Sequence, residues 1–382
     1  MPSTNRHPAA PRLLASIMLT ICCALVAFCG SALAKPSPHK GPKRPPAPLY
    51  WGAIIGGELT GTPAPWDMNA VNVFQQAAGG KPLSLIGFSA PFADCTVSPC
   101  EPYPFPRVPM ESIRNYGAIP IFSWSSSTAS TPEDVLPQPA FRLARVIDGT
   151  YDAYITDVAE NAREWGHPFF LRFNWEMNGF WFPWSESVNH NRPGQYVKAW
   201  RHVHDIFTAV GATNATWVWC PNIALVKRLK TFRENYPGHA YVDWTCLDGF
   251  NWGEHNNSAG WMTFDHFFEP AYREILKFAA RKPMMIGEVA SEERGGNKAT
   301  WIRHLLRVVP SRYRKVKALV WFNEKDGSTR WSITSSRKAS RAFARGIKAP
   351  VYQPNLYGGL ETASPITPPS WPPSGQPLFQ RQ

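Results

Sequence analysis

Along the chain, short apolar runs bounded by turn residues alternate with longer stretches of helical period. The runs are YWGAIIGG (50–57), LSLIGFS (83–89), AIPIFSW (118–124), PFFLRFNW (168–175), ATWVWCPN (215–222), CLDGFNW (246–252), PMMIGEV (283–289) and KALVWFN (317–323). Each is too short for a buried helix and rich in β-branched and aromatic residues, so each predicts a strand. Between them, YDAYITDVAENAREWG (151–166), GQYVKAWRHVHDIFTAVG (194–211) and KATWIRHLLRVVP (298–310) place apolar residues three and four apart and predict amphipathic helices. Strands separated by helices imply a parallel sheet, because parallel neighbours need a crossover connection. Eight such units predict an α/β fold, a single (β/α)8 TIM barrel over residues 50–349. A doubly wound open sheet is the competitor; it needs fewer strands, and no glycine-rich dinucleotide turn follows the first run.

The flanks read differently. Arg6 and Arg12 precede an apolar run from Leu13 to Phe28, and Ala32-Leu33-Ala34 offers small residues for cleavage, so 1–34 predict a secretory signal peptide. Residues 35–49 form a Pro/Lys-rich leader expected to be disordered, and 350–382 a Pro-rich tail with little apolar periodicity. The mature chain is therefore expected outside the cell, with no membrane segment once the signal is removed, acting as a monomer. Export also fits the cysteines. Cys22, Cys23 and Cys29 lie in the signal, and four remain. Cys95 and Cys100 bracket TVSP and predict a local disulfide. Cys220 and Cys246 sit in neighbouring strands at heights about three residues apart by this register, an offset that opposes a bond between them.

Composition changes the picture at one point. The 17 Trp are several times average usage and must fill a large core, line a binding surface, or both. The formal charge of +12 comes without any nucleic-acid motif, and excess Lys and Arg ordinarily solvate a secreted surface. No HExxH-like spacing occurs, and His202 and His204, two apart on a helix, point to different faces, so neither metal nor other cofactor is expected. Glu292 and Glu293 read as a solvated loop, and Asn214 and Asn256 stand in glycosylation sequons.

In a barrel the chemistry belongs at the C-terminal strand ends. Glu176 falls just past the fourth run and Glu288 near the end of the seventh, so the two carboxylates can face each other across the mouth. Around Glu176, FLRFNWEMNGFWFPWS supplies Trp175, Trp181 and Trp184, whose burial of the carboxyl raises its pKa, the direction a general acid needs. Glu288, following Gly287, suits an ionised nucleophile. Trp124, Trp219, Asn222, Asn251, Trp252, Trp321 and Asn323 also stand at strand ends, a set of rings and amides suited to stacking and hydrogen-bonding sugars. Two carboxyl groups flanking a sugar are what glycosidic hydrolysis requires. The bland alternative makes both acids ordinary salt-bridge partners, Glu176 with Arg172 for example.

At these residues the chain resembles glycoside hydrolase family 26, retaining TIM-barrel enzymes dominated by β-mannanases. LRFNWEMNGFWFPW is similar to that family's strand-four motif and PMMIGEVAS to its strand-seven motif, while GATNATWVWCPN, YPGHAYVDWTCLDGFNWG and ALVWFNEKDG resemble its strand regions five, six and eight. The likeness spans nearly all of 50–345. It implies Glu176 as acid/base, Glu288 as nucleophile, Arg172 as support of the acidic cluster, and Trp181 and Trp321 as rings flanking the cleaved bond. Two positions depart: Trp175 stands where many members carry His, and Phe250 where a Tyr often touches the nucleophile. The resemblance implies an endo-β-1,4-mannanase acting on a polysaccharide partner, with mixed-linkage β-glucan or β-1,3-xylan as variant substrates. A non-catalytic carbohydrate-binding barrel, expected to lack one carboxylate, and a structural wall protein are the readings from other classes.

Overall fold

The computed structural model describes residues 45–129, 136–223, 232–255, 260–325, 327–360 and 364–371. The expected signal segment, most of the leader, Asn256 and the end of the tail lie outside them. Eight parallel strands run in chain order around a closed sheet: β1 (Leu49–Ile55), β2 (Leu85–Asp94), β3 (Ile119–Ala129), β4 (Phe169–Phe173), β5 (Ala215–Trp219), β6 (Trp244–Asn251), β7 (Met284–Ser291) and β8 (Val316–Asn323). Closure comes from β1, which pairs β2 on one side, Gly52 beside Leu85, and β8 on the other, Tyr50 beside Ala318. The fold is thus a (β/α)8 barrel, and the open doubly wound sheet is excluded.

The crossovers are α1 (Met68–Ala77), α2 (Arg107–Tyr116), the short α3 (Leu143–Ile147) with α4 (Asp152–Trp165), α5 (Gln195–Val210), α6 (Phe264–Ala279) and α7 (Lys298–Arg312), with α8 (Arg337–Ile347) after the last strand. Their ends carry the expected local chemistry. Asp67, Thr263, Asn297 and Ser336 cap α1, α6, α7 and α8 through side-chain oxygens, and Gly117, Gly166 and Gly211 end α2, α4 and α5 in the left-handed conformation. Between β5 and β6 the described residues hold only two short 3-10 turns, Phe232–Asn235 and His239–Tyr241.

Alternation along the strands makes two cores. One side of the sheet packs on the helices. The other fills the barrel with Tyr50, Leu85, Ile121, Phe170, Trp244 and Met285. This inner core also takes Tyr357, Leu360 and Ile366, so the folded unit continues past Ala349. Tyr352–Gln353 extends the sheet beside β1, Trp244 Nε1 donates to Ile366 O at 2.7 Å, Ile366 N to Thr216 Oγ1 at 2.8 Å, and Tyr50 OH to Thr367 O at 3.0 Å. The segment escaped the reading by period because it is neither helix nor long strand. Its apolar residues are irregularly spaced, each set by the hole it fills under the barrel. Ile366→Ala is therefore expected to lower the unfolding free energy by about 2–5 kcal/mol, read by urea denaturation. A change within about 0.5 kcal/mol, the range of a surface substitution, would show that this floor is not packed.

Candidate active site

The fourth strand leaves the ladder abruptly. After Phe173, Asn174 (φ 46°) and Glu176 (φ 53°) both take left-handed backbone, which an L-residue adopts only at a cost, so their surroundings must hold them. Asn174 is clamped by Ser126, whose N–H donates to Asn174 Oδ1 at 2.8 Å, and Glu176 N donates to Cys220 O at 2.7 Å. The result turns the Glu176 carboxyl into the mouth, where Trp181 Nε1 donates to Oε2 at 2.6 Å and Asn222 Nδ2 to Oε1 at 2.7 Å. Trp175 packs against Phe182 and Trp184, and Trp184 Nε1 donates to Trp175 O at 2.6 Å. Burial foremost, and then the charge of Glu288, push the Glu176 carboxyl up to about 7, against the two donors and Arg172.

Beneath it, Arg172 is wholly buried, its guanidinium 5.7 Å from the Trp175 ring centroid. It donates through Nη2 to Asp248 Oδ2 at 2.6 Å and through Nη1 to Glu288 Oε1 at 3.0 Å. The expected alternative of Arg172 paired with Glu176 gives way to this fork. One carboxylate oxygen from each of Glu176, Asp248 and Glu288 lies within 4.8 Å of the others. Burial pushes the Glu288 and Asp248 carboxyls up, and Arg172 opposes this in both. Asp248 was not anticipated. Its signal was present: a carboxylate inside the apolar run CLDGFNW, at the parity of Cys246 and Phe250, must be paired if buried.

Several strand-end residues lie elsewhere. Trp124 and Trp321 are 1 % exposed and face the helices: Trp124 packs on Phe92, Tyr154 and Phe207, and Trp321 on Trp301 and Phe343. Both were misplaced by one residue, since Phe322, next to Trp321, is the one that meets Phe250. Asn251 is fully buried and structural, donating to Ser291 Oγ at 2.9 Å and accepting from Met262 N at 2.9 Å. Trp252 does stand at the mouth, edge-on to Trp331, which stacks on Phe250 with centroids 4.6 Å apart. Phe180, half-exposed beside Trp181, supplies a ring on the β4 side.

Two other expectations fail. Glu292 is fully buried rather than solvated, accepting from Glu293 N and Arg330 N, which shapes the loop that carries Trp331. Asn214 spends its amide on Ala162 O and His167 O and is buried, so it is no glycan acceptor.

Both disulfides are present among the described residues. Cys95 joins Cys100 in the loop after β2. Cys220 also joins Cys246, contrary to the expected offset. β6 begins at Trp244, and Val218 pairs Trp244 and Trp219 pairs Thr245, which sets Cys220 directly beside Cys246. The Cys220 sulfur lies 3.2 Å from Asp248 Oδ1, and a Cβ on Gly287 would fall 2.5 Å from the Cys246 sulfur, so only glycine fits before Glu288. Peptide mapping under non-reducing conditions is expected to recover Cys220 joined to Cys246; a free thiol at either position would refute the register. Asp248→Ala, which strands half of the Arg172 fork, is expected to cost about 3–5 kcal/mol of stability, and an unchanged urea midpoint would show the pair is not coupled to the fold.

Comparison with known proteins bears on this site. Residues 121–277, which include Glu176 and stop before Glu288, match the model of Glycosyl hydrolase family 26. Over 264 residues the chain is 35 % identical to Endoglucanase H of Acetivibrio thermocellus, covering 68 % of this chain and 27 % of that protein. It is 31 % identical over 130 residues to Beta-1,3-xylanase TXYA of a Vibrio species, covering 31 % of this chain and 26 % of the relative. The match thus spans about a quarter of each curated relative. The catalytic domain of the GH26 endo-beta-1,4-mannanase from Bacillus sp. JAMB-750 superposes with a TM-score of 0.61 at 16 % identity, over 83 % of this chain and 91 % of that one, and so shares the barrel. With the strand-four motif, the family model and the fold in agreement, the chain belongs to glycosyl hydrolase family 26.

Proposed function

We propose that the chain is a secreted, endo-acting β-glycan hydrolase that cleaves with retention. The observation that carries this is the carboxyl pair: Glu176, pushed up to about 7 by burial, can hold a proton at neutral pH, while Glu288, also pushed up by burial, receives a hydrogen bond from Arg172 that opposes that push. Their closest oxygens lie within 4.8 Å, which favours the roughly 5–5.5 Å carboxyl spacing of retaining enzymes over the wider inverting pair. In this reading Glu288 attacks the anomeric carbon as Glu176 gives its proton to the departing glycosidic oxygen. Glu176, now ionised, then takes a proton from a water molecule as the water oxygen attacks the same carbon and the bond from that carbon to Glu288 breaks. The rings of Trp181 and Phe180 on one side, and of Trp252 on the other, offer faces for sugars on both sides of the pair. Two disulfides suit export into an oxidising compartment.

For substrate, the resemblance favours β-1,4-mannan. A second reading, mixed-linkage β-glucan, is favoured by a specific observation: the relative at 35 % identity is named Endoglucanase H, and Trp175 and Phe250 line the cleavage point where the mannanase-like pattern has His and Tyr. Product sizing on mannan, lichenan and β-1,3-xylan decides among them, and release of no reducing sugar from any would overturn the enzyme reading.

Glu176→Gln is expected to lower kcat by about 10²–10⁴ on substrates with poor leaving groups, and Glu288→Ala to abolish turnover. Because the protonated form of Glu176 is the active one, kcat/KM is expected to fall as pH rises through about 7. Proton NMR of the first products is expected to show the β-anomer; the α-anomer would exclude retention.

A further inference from the structure

The helical wall on the β7–β8–β1 side of the barrel carries charge of one sign. Helix α8 and the residue after it expose Arg337, Lys338, Arg341, Arg345 and Lys348, and α8 holds no acidic residue. Among the described residues none of these five makes a side-chain hydrogen bond or ion pair. The neighbours on both sides do not compensate. Helix α1, joined to α8 by Ser340 Oγ donating to Ala77 O, has no charged residue at all, and α7, packed on α8 where Gly346 meets Leu306, has no acid and exposes Arg303 and Arg307. Asp67 and Glu293 flank α1 and α7 at the strands' C-terminal ends, toward the mouth.

This arrangement works against its own helix. Arg337, Arg341 and Arg345 repeat at four-residue steps, where like charges repel, and Arg337 and Lys338 occupy the first turn, at the positive end of the helix dipole. On α6 and α7, by contrast, some surface cations are paired: Arg273 and Arg312 bind Glu269, and His304 binds Asp265. Core packing of α8 uses Ala339, Ala342, Phe343 and Ile347 and does not require the cations. A local conflict that the fold does not need points to a partner that relieves it.

We propose that this wall binds an anionic polysaccharide with a carboxylate on successive sugar rings, a polyuronate, at a site separate from the barrel mouth. Charge complementarity selects a polyanion. The guanidinium fork matches carboxylates in two-point contact, and Arg side chains repeating about every 6 Å along the helix suit a polymer of regularly spaced charges better than a compact anion. The choice of polysaccharide among polyanions rests on the proposed function; binding itself needs no turnover, so the two can fail separately. A polyuronate on the wall leaves the mouth free and would hold the protein within a mixed matrix while the cleft acts on a neutral chain.

The test is equilibrium binding of the full chain to polygalacturonate, to the same polymer fully methyl-esterified, to duplex DNA and to phosphatidylserine vesicles. The expected result is binding to polygalacturonate that weakens steeply with salt, vanishes on esterification, and drops at least tenfold in the triple variant Arg337→Gln, Arg341→Gln, Arg345→Gln. That variant relieves repulsion, so its melting temperature should hold or rise, and its hydrolysis of a soluble glycan should be unchanged. Should it fail to fold, single Arg→Gln variants are expected each to lose part of the affinity. The proposal is overturned by no binding at about 50 mM salt, by equal affinity of wild type and variants, or by tighter binding to DNA or vesicles than to polygalacturonate.

Discussion

One guanidinium serves three carboxyl groups at the heart of this barrel. Arg172 has no access to water and forks between Asp248 and Glu288, and Glu176 stands within reach of the same cluster. A single positive charge cannot neutralise three negative ones at low dielectric, so the cluster must keep protons, and where they stay defines the chemistry. Burial pushes the Asp248 and Glu288 carboxyls up, and contact with Arg172 opposes that push in both. Glu176, farther from that charge and walled by rings, is pushed up to about 7 by burial and the charge of Glu288. Where one arginine points thus sets Glu176 apart from the two acids it touches.

The frame that enforces this is reached from several strands. Cys220 offers its carbonyl to the N–H of Glu176 and its sulfur to the neighbourhood of Asp248, and Asn222, two residues on, holds the Glu176 carboxyl. The β5–β6 seam it belongs to is short, with register pairs only at Val218 and Trp219 and a further bridge from Asn222 to Asp248, and no α-helix is described between these strands. A covalent link between Cys220 and Cys246 therefore falls where backbone pairing is thinnest and where three of the site's supports meet.

Much of this was legible in the sequence, and the failures share causes. Eight apolar runs gave the strands, and Glu176 and Glu288 could be placed at the mouth because strand ends are read from where a run stops, while the role of Arg172 came from the family resemblance. Which side of the sheet a residue faces was harder. A one-residue slip moved Trp124 and Trp321 from the helix-packed layer to the cleft, and a late start assigned to β6 separated Cys220 from Cys246. Asn251 looks like a site residue by type and Glu292 like a solvated one, yet both bond to backbone groups of the loops they organise, contacts that no periodicity encodes. Asp248 was hidden by the apolar company that makes it important.

The segment from Tyr352 to Ile366 completes the barrel floor, supplying side chains to the inner core and an acceptor to Trp244. The residues that close the first strand's surroundings therefore come from far along the chain, Tyr50 and Thr367 being 317 positions apart. Sealing the floor is thus a contact of very long sequence separation, whose loop-closure entropy must be met before the burial of Leu360 and Ile366 rewards it.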